Sequence, residues 1–402
     1  MTKPRVIFIN RVYWPSLAAT SQLLTDLAEG LAARDWPVHV IAAGHEPGPR
    51  HGVIIHRTGE GDRHGGLISR AKNYTRFIRQ VRRELETLAQ PGDRVVVMTD
   101  PPLLGAGVTA VAVKREAQVI HWTQDIYPEI AAAHFGALAG ALLFPLRARR
   151  DASWLAAVRC VVLGETMAGT LQHHGVAADR VITIPNWAPR ELQTPPTNDA
   201  RDIQRSEWGF ADKFIIAYSG NLGRVHEFKA ILRAAEFLRD RPDIVFLFLG
   251  AGARLAEVRS LAATKRLNNL HILPPAPREK LAASLAGADV QLVTLNPAFA
   301  PLVYPSKLAG VLAAGRPTIF VGPPNGEIAS LLKNENCGAA VSPADGSGLA
   351  QLITRWQGDD EERARLGHRA RAAYEKHFVF ESALARWEAL LSITTPKGDE
   401  AD

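Results

Sequence analysis

Two cysteines in 402 residues, Cys160 and Cys337, exclude a disulfide scaffold. They form no CxxC pair and belong to no His/Cys cluster, so no zinc site is expected and a reducing cytoplasm fits. No two aspartates lie two positions apart, so no DxD pair is available to carry Mg²⁺ or Mn²⁺. Long hydrophobic runs are also missing. The longest, at 138–146, is interrupted by Gly140 and Pro145, whereas a spanning helix needs roughly 20 apolar residues. The first apolar run, at 6–9, is too short for the core of a signal peptide. There is no low-complexity tract, which leaves disorder expected only in the last few residues.

What the chain does have is rhythm, and its length suits two domains at about 100–200 residues each. Short apolar runs at 5–9, 38–41, 53–56, 94–98, 118–122, 161–163 and 181–184 read as strands. Helical patterns fill the intervals at 21–34, 68–88 and 103–115; in the first, Leu23, Leu24, Leu27, Ala28 and Leu31 share one face. The strand runs are continuous rather than alternating, which implies sheets covered on both faces. Strands alternating with helices imply a parallel, doubly wound α/β sheet. The rhythm then stops in a stretch rich in Pro, Asn, Thr and Asp, with Pro189, Pro195 and Pro196, read as a linker over 187–212. It restarts with strands at 214–218, 244–249, 270–273, 290–293, 318–321 and 339–341, and closes in helical patterns at 361–376 and 381–393. The domains are therefore set at 1–186 and 213–378.

Parallel sheets bind ligands beyond the carboxyl ends of their strands, so the residues there are the candidates. After the first strand of the second domain comes Tyr218-Ser219-Gly220-Asn221-Leu222-Gly223-Arg224. Its glycines allow close backbone approach, the helix expected from Glu227 would offer N–H groups, and Arg224 suits phosphate oxygens; the alternative is a plain βα turn. Ser306 and Lys307 follow Pro305 at a helix start, where a lysine opposes the helix dipole. Either an anionic ligand explains that charge or Lys307 points to water. Glu327, opening another helix, either accepts from ligand hydroxyls or complements the dipole. In the first domain, Asp125 and Glu129 follow the strand at 118–122. One is expected to contact an acceptor hydroxyl, with Asp125 favoured, and the other to cap a helix. Ala18 and Thr20, in the first loop, would let a substrate approach the first helix, unless that loop is merely capped by Ser or Thr.

These stretches together resemble the GT-B retaining glycosyltransferases of glycosyltransferase family 4, most of all the colanic-acid, capsule and O-antigen branch with fucosyl- and N-acetylfucosaminyl-type transferases. The matching segments are YWPSLAATSQLLTDLAEGLAARDWPVHVI, WTQDIYPE, IPNWAP, YSGNLGRVHEF, FLFLGAGAR, YPSKLAGVLAAGRP and NGEIASLL, in family order and spanning nearly the whole chain. The resemblance implies two Rossmann-like domains facing a cleft. The second would bind a UDP- or GDP-type sugar through Gly220, Asn221, Arg224 and Lys307. The first would bind the acceptor, and a closing helix at about 379–395 would pack back on it. It implies a cytoplasmic enzyme of surface-polysaccharide synthesis, retaining anomeric configuration, with an acceptor linked to polyprenyl diphosphate and a peripheral contact with the inner leaflet. One departure stands out. The Glu-x7-Glu carboxylates of many relatives align with Leu302 and Gly310 here, so neither role carries over.

The distribution of charge suggests an anionic partner, the alternative being a solvated surface with a mild basic excess. Up to Trp187 there are 21 Lys and Arg against 16 Asp and Glu; beyond it, 26 against 25. At 70–88, Arg76, Arg79 and Arg83 lie beside an apolar stripe of Ile78, Val81, Leu85 and Leu88; Arg147, Arg149 and Arg150 form a second candidate lipid contact. Three rival readings fit the sequence less well. An NAD-dependent oxidoreductase lacks the acidic ribose partner after Gly250-Ala251-Gly252, and at Gly105-Ala106-Gly107 its strand is separated from the glycines. A nucleic-acid-binding protein lacks any zinc, RNP or helix-turn-helix signature. A nucleotide-sugar 2-epimerase would share the architecture without an acceptor. With no DxD, Arg224, Lys307 and helix N-termini are expected to hold a departing diphosphate without metal or cofactor.

Overall fold

The computed structural model describes residues 3–45, 48–59 and 66–393. The chain divides into two compact units, each built on one all-parallel sheet. Unit 1 comprises Met1–Pro185, Pro301–Tyr304 and Glu381–Asp402; unit 2 comprises Asn186–Ala300 and Pro305–Phe380.

Unit 1 runs β1 (Val6–Ile9), α1 (Ala19–Ala32), β2 (Val38–Ala42), β3 (Val53–Arg57), α2 (Leu67–Leu88), β4 (Arg94–Val97), α3 (Leu104–Lys114), β5 (Gln118–Trp122), α4 (Glu129–Phe135), α5 (Ala137–Leu142), α6 (Phe144–Ala156), β6 (Arg159–Val162), α7 (Glu165–His173) and β7 (Val181–Thr183). Its strands lie in the order β3-β2-β1-β4-β5-β6-β7. Val6, Ile7, Phe8 and Ile9 are all fully buried, as a strand covered on both faces must be.

Unit 2 opens on α8 (Asn198–Glu207) and continues β8 (Phe214–Ser219), α9 (Lys229–Phe237), β9 (Ile244–Leu249), α10 (Leu255–Thr264), β10 (Leu270–Leu273), α11 (Leu281–Gly287), β11 (Val290–Thr294), α12 (Lys307–Ala313), β12 (Thr318–Val321), α13 (Glu327–Asn334), β13 (Gly338–Val341), α14 (Gly346–Gln357) and α15 (Asp360–His377). The order β10-β9-β8-β11-β12-β13 repeats that of unit 1. Along β8, Phe214, Ile216 and Tyr218 join the larger core with Phe228, Phe246 and Phe248, while Ile215 and Ala217 face the opposite core with Val245 and Leu247. Both orders reverse direction between the first and fourth strands, at β1/β4 and β8/β11, and such switch points are where open parallel sheets offer a crevice at their carboxyl ends.

The closing helix α16 (Phe380–Ser392) is part of unit 1 from Glu381 onward. Trp387 is fully buried, edge-on to Trp122 with ring centroids 4.9 Å apart. Truncating such a side chain costs on the order of 3–5 kcal/mol. Arg94 on β4 donates to the carbonyls of Leu391 and Ile393, both at 3.0 Å, and so satisfies the end of α16.

Three expectations change. The stretch 187–212 is folded, not a bare linker: it holds a 3-10 turn at Arg190–Leu192 and all of α8, and Trp187, Leu192, Gln204 and Arg205 are buried. The run at 138–146 is divided between α5 and α6; the side chains of 137–139 lie outside the described residues. In α2 the fully buried side chains are Phe77, Val81 and Leu85, with Ile78 and Leu88 only partly covered.

Candidate active site in two half-sites

In unit 2 the crevice at β8/β11 is lined by two clasped loops. Gly220 N donates to Leu249 O at 2.8 Å, Leu222 N to Ala251 O at 2.8 Å and Arg254 N to Leu222 O at 3.0 Å. This approach explains two glycines. A Cβ at Gly250 would meet Gly220 O at 2.0 Å, and Gly220 itself has a φ of +126°. His226 Nδ1 donates to Thr294 O at 2.8 Å and fixes the loop to the end of β11. Its imidazole is held neutral, pushed down to about 3 first by burial and then by Lys307.

Lys307, the first residue of α12, turns inward. Its ammonium lies 3.7 Å from the centroid of the Tyr218 ring and donates to the Tyr218 hydroxyl, which in turn donates to Asn221 O at 2.7 Å. A Cβ at Gly220 would lie 3.4 Å from Nζ, so the glycine lets the ammonium meet the loop backbone. Among the described residues no carboxylate pairs with Lys307. Burial lowers its pKa well below the ordinary lysine value. A desolvated cation at the carboxyl end of a parallel sheet is a site for an anion supplied from outside.

The other unit 2 candidates sort themselves around it. Gly220 supplies space, not a donor, because its N–H is spent on Leu249. The α9 start is not an open anion site, contrary to expectation. The helix begins at Lys229, and Glu227 Oε1 already accepts from the N–H groups of Phe228 and Lys229, each at 2.9 Å. Asn221, Arg224 and Ser306 are exposed, with Ser306 at the N-cap of α12. Glu327 opens α13 behind Gly326. Arg254 escaped the sequence reading. It donates to His226 O and holds Glu257 at 2.7 and 2.8 Å, bracing the loop. At Gly310 an added Cβ would point at Leu192, 3.2 Å away, a hydrophobic wall.

Unit 1 treats its crevice differently. Arg11, just after β1, pairs with Asp100, just after β4, through Nε–Oδ1 at 3.0 Å and Nη2–Oδ2 at 2.9 Å. Arg11 is buried, and the pair neutralises the β1/β4 crevice. Both residues obey the strand-end rule that picked out Asp125, yet they were missed because 89 positions separate them. Asp125 follows β5, and its N–H donates to Thr99 Oγ1 at 3.3 Å. The segment Pro301–Tyr304 lies alongside: Ile126 N donates to Leu302 O at 2.9 Å and Asp125 bridges to Val303. Burial, and then the Asp100 carboxylate, raise the Asp125 pKa to about 6. A carboxylate poised near neutrality, beside a cavity of about 30 Å³ that Thr99, His121 and Tyr127 also line, suits proton transfer.

Glu129 departs from its catalytic expectation. Its two oxygens receive Arg150 at 2.6 and 2.8 Å, with Arg147 at 3.1 Å. Such a bidentate, partly buried ion pair ties α4 to α6 and leaves the carboxylate no free face. Arg150 is accordingly buried and stacked on Trp154, so of the three arginines proposed for lipid contact only Arg149 is exposed. Ala18 is the N-cap of α1, without a side-chain cap, and Thr20 lies in the first turn, half-buried. Asp125, Ala18 and Thr20 thus belong to unit 1, and the phosphate-type residues to unit 2.

The family model for glycosyl transferases group 1 matches residues 200–373, and that for Glycosyltransferase Family 4 matches residues 20–192. The probable glycosyltransferase WbjE of Pseudomonas aeruginosa is 28% identical over 71% of this chain and 72% of its own. The putative colanic acid biosynthesis glycosyl transferase WcaI of Escherichia coli is 34% identical over 35% of each chain. Among solved structures, HepE of Anabaena in complex with UDP-glucose superposes with a TM-score of 0.74 at 14% identity, covering 97% of this chain and 100% of that one. That likeness speaks for the fold.

Proposed function

We propose, on the premise that this chain is a glycosyltransferase with the GT-B fold, that it moves a sugar from a nucleoside diphosphate sugar to an acceptor hydroxyl in bacterial surface-polysaccharide synthesis. The carrying observation is the contrast between the two crevices. Asp100 neutralises Arg11 in unit 1, whereas the half-buried Lys307 of unit 2 has no carboxylate partner among the described residues. A diphosphate is the anion that reading places there, and HepE, of the same fold, was crystallised with UDP-glucose. Unit 2 then takes the donor, UDP or GDP in type, through Lys307, Arg224 and Asn221, with Gly220 giving the anion room beside the loop. Ser306 and Glu327 are positioned at helix starts on the same unit.

Unit 1 takes the acceptor, with Asp125 orienting or deprotonating its hydroxyl and Ala18 and Thr20 admitting it to the start of α1. Transfer proceeds with retention, of a hexose or deoxyhexose, the departing diphosphate being stabilised by Lys307 and Arg224 rather than by metal. The acceptor is a sugar on polyprenyl diphosphate, reached by a cytoplasmic enzyme resting peripherally on the inner leaflet.

Calorimetric titration with UDP-, GDP- and dTDP-sugars tests the donor half. One class binds the wild type, and Lys307→Ala weakens it by an amount on the order of 1.5–3 kcal/mol while the protein stays folded. Affinity also falls as pH rises, because the lysine must be protonated to hold the anion. Undiminished binding to Lys307→Ala would remove the lysine from the donor site.

A further inference from the structure

Unit 2 has a second basic cavity, at the edge of its sheet opposite the loops just described. It encloses about 670 Å³ at the amino ends of β11 and β12, where Asp289 and Pro317 immediately precede the strands. From that edge to the carboxyl ends is the length of β11, roughly 17 Å. The start of α8 and the C-terminal end of α12 also border the cavity, through Asn198, Arg201, Gly315 and Arg316.

Most charges at this cavity are already used. Asp289 accepts from Arg201 at 2.8 Å, from Arg205 at 3.0 Å and from Ile215 N at 2.8 Å. Arg363 is held by Asp360 and the carbonyls of Trp356 and Gln357, and Arg371 by Glu375 and the carbonyls of Leu192, Gln193 and Ala313. His368 lies on the rim, exposed. Arg316 is different: its guanidinium makes no hydrogen bond or ion pair with any described residue, and its Nε is buried. The buried Nε of Arg201 is also without a partner. Burial, and then Arg201, lower the Arg316 pKa to about 10, although Asp289 and Asp202 oppose the shift, so the nearby carboxylates offset the burial of this cation only in part.

We propose that this cavity binds a phosphate monoester, with Arg316 and Arg201 gripping the phosphate. The unpartnered guanidinium of Arg316, beside an Arg201 only partly used by Asp289, matches phosphate oxygens, and the surplus positive charge favours a dianion over a carboxylate. The volume exceeds what phosphate alone fills and lies in the range of small-molecule sites. Pro195, Pro196 and Pro317 supply an apolar wall for the remainder of a phosphorylated small molecule. The occupant is not the sugar donor, whose phosphates belong at the carboxyl ends of the strands.

The test is calorimetry on the full-length protein with inorganic phosphate and, separately, with ribose 5-phosphate. The proposal expects binding that persists in Lys307→Ala and is weakened at least about tenfold in Arg316→Gln, with Arg316→Lys between, since a lysine keeps charge but not the fork. Without ligand, Arg316→Gln should unfold at a midpoint no lower than wild type, because it removes a half-buried charge that has no ion-pair partner among the described residues. Tighter binding of ribose 5-phosphate identifies the ligand as a phosphorylated metabolite; equal binding identifies it as phosphate itself. Loss of binding in Lys307→Ala with none in Arg316→Gln, or no binding of either probe to wild type, overturns the proposal.

Discussion

Asp125 is a carboxylate that the fold keeps short of solvent and within reach of a second acid, Asp100. Both effects favour its protonated form, so its pKa is raised in the folded state. The stability this proton brings is complete below the unfolded value near 3.8 and lost as pH rises through about 6. Asp125→Asn should therefore melt above wild type at pH 8, by an amount on the order of 2–3 kcal/mol, and the gap should close toward pH 4. The same substitution should collapse turnover while donor affinity holds, and wild-type activity should fall off on the acid side near pH 6. Melting curves across pH, together with separate binding and turnover assays, check this. A variant that melts with the wild type at every pH, or keeps its turnover, would show that Asp125 is an ordinary solvated carboxylate. Arg11 and Glu129 illustrate the complementary case, in which a charged group at a strand end or helix start is answered by a partner from the protein itself.

Helix α2 buries Phe77, Val81 and Leu85 and leaves Arg70, Lys72, Arg76, Arg79, Arg82 and Arg83 exposed. A helix that packs its stripe on the sheet still presents this basic face to anionic lipid, at about 1 kcal/mol per residue near the surface. Sedimentation with anionic liposomes at low salt should capture the protein, and added salt should release it, since surface charge is screened over about 8 Å at physiological ionic strength. Replacing Arg76, Arg79 and Arg83 together by Gln should reduce capture without touching donor binding. Equal capture by neutral liposomes would discard the electrostatic contact. The strands and α2 could be read directly because continuous Val/Ile runs and a repeating apolar face leave a local signal. Helix α8 could not: its one large apolar residue, Ile203, is exposed, while the buried residues are the polar Gln204 and Arg205. The expected start of α9 falls two residues early because Glu227 precedes the N-cap Phe228 and folds back onto the N–H groups of Phe228 and Lys229. The same locality governs the site. Lys307 was visible as a charge against a helix dipole, but its contact with Tyr218, and the pairings Arg11–Asp100 and Glu129–Arg150, depend on the folded chain.

For the molecule as a whole, the proposed transfer requires that the charge of a departing diphosphate be met. Among the described residues no group of three or more His, Cys, Asp or Glu is placed to hold a metal ion. Lys307 is the partly desolvated cation of unit 2 proposed to meet that charge, with Arg224 exposed on the same loop system. Transfer measured in excess EDTA should match transfer with Mg²⁺; activity abolished by chelation and restored by metal would replace this clamp with a cation. The place of α16 bears on a different matter, the order in which the protein is made. Trp387 completes the packing around Trp122, and Arg94 of β4 waits for the carbonyls of Leu391 and Ile393. The ribosome emits β7 and then has some two hundred residues still to add, roughly 10–40 s of elongation at bacterial-type rates. During that interval the first unit to leave the exit tunnel is the one still incomplete, and unit 2, contiguous but for four residues, can close before it. The nascent chain thus exposes an unfilled aromatic socket until α16 has been made, a natural point for a chaperone to act.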